Sequence, residues 1–185
     1  MIPSLANIAR FPSCLLLFCL VFAPAWCRAA DPRKVVIPFD FVSKFDDGRY
    51  GQILGDMIWT KLSRENGFVV PESMLDVRDY CESHKLRPSP EMGLDKIRKM
   101  VEDDFGGQIG IWGSVERAPG AEGEIYDLAI KSVDFSAKPK PRVIYQAKAR
   151  TNSVSEIPHL YVKQMLDALK GKKAAGGKGD RPPLP

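Results

Sequence analysis

Cysteine and histidine are scarce in this chain of 185 residues. Three of the four cysteines lie in the first 29 residues, so Cys81 stands alone in the rest of the sequence. If the first 29 residues are removed, the one remaining cysteine cannot form an internal disulfide. Packing must then supply the stability of the protein. Cys81 is then either a small buried hydrophobe or a free thiol that could pair between chains. The two histidines, His84 and His159, are too few for a zinc site, which needs three or four protein ligands.

Long apolar runs are also rare. Residues 15–22 form an uncharged apolar stretch, but a membrane span needs about 20 apolar residues. Arg10 precedes the stretch, and small residues at Cys27 and Ala29 follow it. This order predicts a secretory signal peptide over residues 1–29, cleaved near Ala29, and an exported protein that is periplasmic or envelope-associated, with no transmembrane segment after cleavage. The alternative is an uncleaved anchor, while Trp26 beside Cys27 disfavours a lipoprotein.

The central part of the chain has no large excess of either positive or negative charge. Residues 30–169 hold 20 basic and 22 acidic residues, whereas residues 170–185 hold five basic residues and one acid. A near-neutral domain argues against binding to nucleic acid, which requires concentrated positive charge. We therefore predict one domain over residues 30–169. We expect the basic tail, residues 170–185, to be disordered. The functional alternative is that the tail makes weak electrostatic contact with an anionic surface.

Hydrophobic periodicity predicts the order β-α-β-α-α-β-β-β-α. The predicted strands are residues 34–41, 68–70, 108–116, 124–134 and 142–150, and the predicted helices are residues 50–62, 74–86, 90–105 and 153–169. The last three strands are joined by short turns and should form an antiparallel meander. The expected fold is α/β (α+β), with a mixed sheet of about five strands and helices packed on it.

Local signals add detail to this prediction. Pro38 should lie at an edge, a bulge or a strand end, because it has no N–H for the sheet. Ser73 and Ser89 are expected to cap helices, with Pro90 opening the helix after Ser89, and Ser153 with Glu156 matches a capping box. The helical residues expected to face the core include Ile53, Leu54, Met57, Ile58, Leu62, Leu75, Val77, Leu94 and Ile97.

A family resemblance rests on four segments. They are Val-Val-Ile-Pro-Phe at residues 35–39, Phe-Val-Val-Pro-Glu at 68–72, Gly-Ile-Trp-Gly-Ser-Val at 110–115, and the strand at 126–134. Over about residues 34–169 the chain resembles the α/β domain shared by CsgG, the LpoB-type lipoprotein activators and the N-terminal domain of TolB. The resemblance implies this fold, a place in the bacterial envelope, and binding to another envelope protein or a wall component.

The chain departs from these families in several places. Residues 135–141 form a longer and stiffer connection than the tight glycine turn that is usual there. The propeller of TolB, a convincing lipid-bearing cysteine and a CsgG-like transmembrane hairpin are absent from the sequence. The resemblance therefore does not transfer secretion or activator functions.

Two groups of residues could carry chemistry. Cys81 and His84 are three positions apart in a predicted helix, a spacing that suits a thiol–imidazole dyad or a metal pair, although no third partner is evident. Asp40, Asp46 and Asp47 cluster near the end of the first strand, where oxygen ligands could hold calcium. We expect solvated turn carboxylates there instead, because the spacing fits no EF-hand.

Three further features have structural interpretations. Glu102-Asp103-Asp104 is an acidic helix end, which is unfavourable for the helix dipole. The glycine-rich stretch 106–110 lacks the Lys-Ser/Thr pair of a phosphate loop and precedes a strand. Trp59 and Trp112 are expected to pack in the core or on the sheet rather than to bind a ligand.

No catalytic, cofactor or metal residue is assigned from the sequence. The leading hypothesis is a non-enzymatic, exported binding module. One alternative is a small exported hydrolase that uses Asp40 or the Cys81–His84 pair. The other is a structural subunit that self-associates through sheet edges or a Cys81 disulfide.

Overall fold

The computed structural model describes residues 33–118 and 124–172. The predicted signal peptide, the turn at 119–123 and most of the basic tail lie outside these residues. All described residues belong to one compact unit that begins at Arg33. No helix in the two described ranges is long and apolar enough to cross a membrane.

The described residues form six strands and four helices, and two π-helical segments adjoin the last two helices. The strands are β1 (Lys34–Pro38), β2 (Val42–Ser43), β3 (Phe68–Val69), β4 (Ile109–Arg117), β5 (Tyr126–Asp134) and β6 (Arg142–Thr151). The helices are α1 (Arg49–Ser63), α2 (Met74–Ser83), α3 (Leu94–Lys99) and α4 (Lys163–Leu169). The π-helical segments are Met100–Asp104, which continues α3, and Ile157–Val162, which leads into α4.

The strands form one mixed sheet in the order β3-β1-β4-β5-β6, with β2 also beside β4. Pairing is parallel between β1 and β3 and between β1 and β4. It is antiparallel from β4 through β5 to β6. The predicted α/β class, the mixed sheet and the closing meander are therefore confirmed, and β2 is an added short strand.

A one-residue bulge separates β1 from β2. Pro38 lies opposite Ile111 and Val42 opposite Ser114, so four steps along the first strand match three along β4. The extra residue reverses the direction of the following side chains. Phe39 and Phe41 are consequently both buried, but in cores on opposite faces of the sheet. The expected place of Pro38, at the strand end and beside the bulge, is confirmed.

Helix α1 lies directly against this bulge. A Cβ atom on Gly51 would come within 1.7 Å of the Phe41 carbonyl oxygen, and one on Gly55 within 2.4 Å of the Asp40 Oδ1 atom. The Phe41 N–H also donates to the Gly51 carbonyl at 3.2 Å. Only glycine at these two positions, one helical turn apart, permits such close contact.

Two hydrophobic cores lie on opposite faces of the sheet. On the first, which we call the closed face, α1 and α4 pack against β1, β4 and β5. On the second, the half-open face, α2, α3 and the adjoining π-helical segment pack against β1, β4 and the end of β5. Alternate residues of β4 enter each core, so Ile111 is buried on the closed face and Trp112 on the half-open face.

The connections explain why the second face is only half covered. The β1-α1-β3 and β3-α2-α3-β4 connections run in opposite directions along the sheet, and right-handed crossovers then place their helices on opposite faces. The meander supplies no helix, and α4 returns to the closed face. In the described ranges, β5 and β6 therefore have no helix over them on the half-open face.

Two of the three predicted helix caps differ from the structure. The cap of α2 at Ser73 is confirmed, since its Oγ accepts from the Leu75 N–H at 2.9 Å. The cap at Ser89 and the helix start at Pro90 are wrong, because α3 begins after Gly93. The capping box at Ser153 is also wrong, because the Glu156 carboxylate accepts instead from the Thr151 hydroxyl at 2.8 Å.

Three residues expected in the core are exposed. Ile53, Leu75 and Leu94 have exposed fractions of 51%, 58% and 37%. In α1 the row of buried residues that contacts the sheet contains Gly51 and Gly55, so the helix axis lies close to the sheet. The buried row is therefore narrow, and Ile53 lies outside it. Leu75 points away from the buried stripe of α2, which contains Met74 and Val77, and Leu94 is the first residue of α3.

Candidate interaction surface

An ion cluster links the two helix layers at the bulge. Asp40 accepts from Arg78 of α2 at 2.7 and 2.9 Å, and the same guanidinium donates to Asp56 of α1 at 2.7 Å. Burial raises the pKa of the Asp40 carboxyl, and Arg78 opposes the rise only in part. Hydrogen bonding to Asp40 raises the pKa of Arg78. Asp40 is therefore engaged in joining α1 to α2 across the end of the strand.

The three aspartates considered for calcium do not form a ligand set. Asp46 accepts from the Ser43 hydroxyl and from the Tyr50 N–H, the latter at 2.6 Å, and so stabilises the start of α1. Asp47 is exposed and has a positive φ of 58°. Among the described residues, no group of three or more acidic, His or Cys side chains is arranged to hold a metal ion.

Cys81 and His84 are not arranged as a dyad. The His84 Nδ1 atom lies 2.9 Å from the Tyr80 carbonyl oxygen, and its ring stacks on Tyr80 with centroids 4.2 Å apart. Cys81 is half-buried, and burial, with a smaller contribution from the charge of Asp40, raises the pKa of its thiol to about 11. A thiol held protonated at neutral pH is a poor nucleophile.

The acidic end of the third helix has partners. Glu102 accepts from Arg98 at 2.9 Å, one turn earlier, and Asp104 accepts from the Tyr80 hydroxyl of α2. These contacts attach the π-helical segment to α2 and offset its unfavourable position. His159 is exposed in the later π-helical segment and belongs to no group of three potential metal ligands among the described residues.

The glycine-rich stretch and Trp112 serve packing. A Cβ on Gly107 would come within 2.5 Å of Ile37, and one on Gly110 within 2.9 Å of Val101, so these glycines admit core side chains. Trp112 is fully buried and stacks on Phe135. Trp59 is half-buried and donates to the Pro71 carbonyl at 2.8 Å. The packing interpretation is confirmed for Trp112, whereas Trp59 belongs to neither core.

A polar surface covers β5 and β6 on the half-open face. Strand pairing arranges its side chains in rows, in which Asp127 lies beside Arg150, Ala129 beside Lys148, and Lys131 beside Gln146. We call these six residues the open patch. Arg150 and Asp127 form an ion pair at 2.8 Å, whereas Lys131 and Lys148 form none with the described residues.

A shallow cavity of about 280 Å³ lies on the open patch. Its floor includes Ala129, and its sides include Lys131, Gln146 and Lys148. Glu91, from the connection between α2 and α3, closes one side. The hydrogen bond from Ser89 lowers the pKa of Glu91, and the nearby charges of Lys44 and Lys148 add to the effect. The cavity therefore has two lysines and one carboxylate around a small apolar floor.

Strand β6 is also the long edge of the sheet. It has ten residues and, among the described residues, pairs with β5 alone, whereas the opposite edge, β3, has two residues. The segment 138–150, which is β6 with the turn before it, contains five basic residues and no acid. A strongly basic edge therefore borders the open patch.

A buried carboxylate fixes the start of β6. Asp134 accepts from Lys34 at 3.0 Å, from Arg142 at 3.2 Å and from the Ser136 hydroxyl at 2.6 Å. Burial favours a raised pKa, but the hydrogen bonds from Ser136 and Lys34 outweigh it and lower the pKa of Asp134. The connection at residues 135–141 thus begins at an ion cluster that ties β1, β5 and β6 together.

The residues of the open patch were not identified from the sequence. Alternation in the sequence predicts that Val143, Tyr145, Ala147 and Ala149 share one face of β6, but a register shift separates Val143, which is 47% exposed, from the other three. The opposite positions read Gln146, Lys148 and Arg150, and this alternating polar pattern was the available signal. What it could not indicate is that no helix covers them.

No family model and no curated protein matches this chain. Among solved structures, TolB from Acinetobacter baumannii is similar at 12% identity over 76% of this chain and 29% of that one, with a TM-score of 0.48. The LpoB C-terminal domain from Escherichia coli is similar at 11% identity over 65% and 84%, with a TM-score of 0.42. Lipoprotein GNA1162 from Neisseria meningitidis is similar at 16% identity over 77% and 99%, with a TM-score of 0.41. LpoB and TolB are two of the groups that the sequence motifs resemble.

Proposed function

We propose that this protein is an exported binding module of the cell envelope that contacts another envelope protein through the open patch. The observation that carries the proposal is a strand pair with no helix over one of its faces in the described ranges. Antiparallel strands such as β5 and β6 can leave one face in solvent, whereas parallel strands are usually covered on both faces. Here the uncovered strands present charged residues beside a cavity, which suits a protein surface that is recognised by a partner.

The export part of the proposal is supported by the N-terminal pattern. Residues 1–29 combine a weakly basic start, a short apolar run and small residues before Ala30. The folded part has the half-buried Cys81 as its one thiol, so it needs no oxidative folding step outside the cytoplasm.

The contacts of the candidate catalytic residues favour binding over catalysis. Arg78 occupies both carboxylate oxygens of Asp40, and the raised pKa of the Cys81 thiol opposes its use as a nucleophile. The hydrolase alternative therefore has less support than the binding module.

Site-specific photo-cross-linking in growing cells tests the proposal. A photoreactive residue would replace Lys148 in the open patch, and the matched control would replace Lys61, an exposed lysine of α1. We expect Lys148 to give one dominant product, identified by mass spectrometry as an exported envelope protein, and Lys61 to give none. The proposal is wrong if position 148 yields no product, if both positions yield the same product, or if the protein stays in the cytoplasm.

A further inference from the structure

We propose that β6 binds an extended, acidic segment of the partner protein, which adds to the sheet as a further strand. The inference rests on the proposed function and names the chemistry of the partner at that surface. It combines three properties of β6, namely its free edge, its charge and its alternating side chains.

The edge of β6 is long enough to hold another strand. Nine of its ten residues pair with β5 on one side, and the six consecutive residues 146–151 lie beyond the register shift at Ile144. Within the described residues, no backbone group of this strand bonds to a segment on the other side. An edge strand leaves alternate N–H and C=O groups directed outwards, and an extended peptide can pair with them.

The charge of β6 selects the partner. Lys138, Lys140, Arg142, Lys148 and Arg150 lie within 13 residues that contain no acid, although the domain as a whole is nearly neutral. Arg142 and Arg150 each meet one carboxylate, Asp134 and Asp127, whereas the three lysines form no ion pair with described residues. An acidic strand would meet this excess positive charge, and opposite charges in neighbouring strands stabilise their pairing.

The same charge excludes a second copy of this chain. Antiparallel pairing of two β6 strands about a twofold axis would place Lys148 and Arg150 of each copy close to the basic residues of the other. Like charges in opposed positions destabilise a sheet, and lysines at edges commonly prevent such pairing. The lysines that repel another β6 would attract an acidic strand.

The alternation of β6 predicts the pattern of the bound segment. Gln146, Lys148 and Arg150 lie on the open patch, whereas Tyr145 and Ala147 are half-buried beside the closed-face core. A matching strand has acidic residues at every second position and apolar or β-branched residues between them. A lipid surface could meet the charges, but it offers no backbone to pair with the edge. This favours a polypeptide.

Peptide titration tests strand addition. The probe is a nine-residue peptide of alternating Glu and Thr, and the control peptide has Lys in place of Glu. Both are titrated to millimolar concentration into the full chain purified after export, with amide hydrogen exchange read along the sequence. We expect the Glu peptide alone to bind and to slow exchange at β6 amides.

Variants show whether the charge of the edge is responsible. Lys148→Glu should weaken binding of the Glu peptide by roughly five- to tenfold, because an attractive cross-strand pair becomes repulsive. Lys148→Arg should retain binding, and the matched control Lys61→Glu should change it less than about twofold, because α1 lies on the other face.

Four outcomes would overturn strand addition. They are no binding of the Glu peptide, equal binding of the Lys peptide, exchange protection away from β6, and equal effects of Lys148→Glu and Lys61→Glu. Binding to vesicles of anionic lipid without binding to the peptide would also reject it. A partner cross-linked at position 148 despite any of these results would leave the binding module in place, so the two failures are distinguishable.

Discussion

The closed face and the half-open face belong to the same sheet but are completed differently. On the closed face, Leu128 and Ile130 of β5 are buried in a core that α1 and α4 both enter. One residue along the strand, Ala129 and Lys131 point to the other face and line a cavity. The core on the half-open face reaches β5 only at its end, where Val133 is buried.

The difference shows how the connections between strands determine which face of a sheet is covered by helices. Each crossover between parallel strands brings a helix, and direction along the sheet decides its face. Short turns between antiparallel strands bring none, so β5 and β6 are covered by α1 and α4, which both lie on the closed face. The face left without a helix carries charged residues and is available for recognition.

The largest expected effect is on the closed face. Replacing the fully buried Ile58 of α1 by Ala should lower the free energy of unfolding by about 2–5 kcal/mol, since it removes buried methyl groups and leaves a cavity. Chemical denaturation measures the change. Ile53→Ala, on the exposed side of the same helix, is the matched control and should cost less than about 1 kcal/mol. Equal costs for the two variants would contradict the assignment of the core.

The next effect concerns Arg78, which joins the helix layers of the two faces. Arg78→Met leaves the partly buried Asp40 without its partner and should cost about 1–3 kcal/mol at neutral pH. The pKa of Asp40, already raised by burial, should rise further in this variant. In the variant, the stability that protonated Asp40 contributes is fully present below the pKa of Asp40 in the unfolded chain. It is lost as the pH rises through the pKa of Asp40 in the folded protein.

Denaturation of the Arg78→Met variant at several pH values checks this sign. The deficit relative to the parent protein should shrink as the pH is lowered through the raised pKa of Asp40. Adding Asp40→Asn should recover much of the loss at neutral pH. A deficit that grows on acidification would show that Asp40 is not the group left unpaired.

A smaller effect is expected at the start of β6. Asp134→Asn removes the charge that Lys34 and Arg142 contact but keeps an oxygen for Ser136, so it should cost about 1–2 kcal/mol at neutral pH. The pKa of Asp134 is lowered in the folded state. Its contribution is therefore present above the unfolded pKa and is lost as pH falls through the folded value.

Thermal unfolding of the Asp134→Asn variant and the parent should therefore converge under strongly acidic conditions. This trend has the same direction as that of Arg78→Met but occurs at lower pH, because the two folded pKa values are shifted in opposite directions. A difference that persists at the acidic limit would mean that packing, rather than charge, accounts for the cost.

The smallest effect on stability is expected in the open patch. Lys148→Ala removes an exposed side chain without an ion-pair partner among the described residues, so the free energy of unfolding should change by no more than about 0.5 kcal/mol. Unchanged denaturation curves with weaker binding of the Glu peptide would separate recognition from folding. A large loss of stability would show that the patch is part of the core.

Much of the fold could be predicted from local patterns. Ser73 caps its helix as its sequence indicates, because that contact lies within two residues of chain. The strands of the meander follow from apolar runs separated by turns. The capping box at Ser153 was wrong because Thr151, at the end of β6, competes for the Glu156 carboxylate. Such competition depends on where the preceding strand ends.

The candidate site was less predictable. Asp40 was noted for its carboxylate, but its role depends on Arg78, 38 residues away. Cys81 and His84 share a helix, yet the His84 ring turns to Tyr80. Lys131 and Lys148 are ordinary strand residues in the sequence, and only the sheet register places them around one cavity.

The sequence by itself determined the α/β class, the order of most elements and the basic character of residues 138–150, because periodicity, turn residues and charge are local properties. Tertiary structure alone decided that a one-residue bulge directs Phe39 and Phe41 into different cores and that α4 covers the closed face. It also decided that β6 lies at the edge of the sheet formed by residues 33–118 and 124–172. These outcomes depend on strand order, register and the direction of the crossovers, which arise only when distant segments pack together.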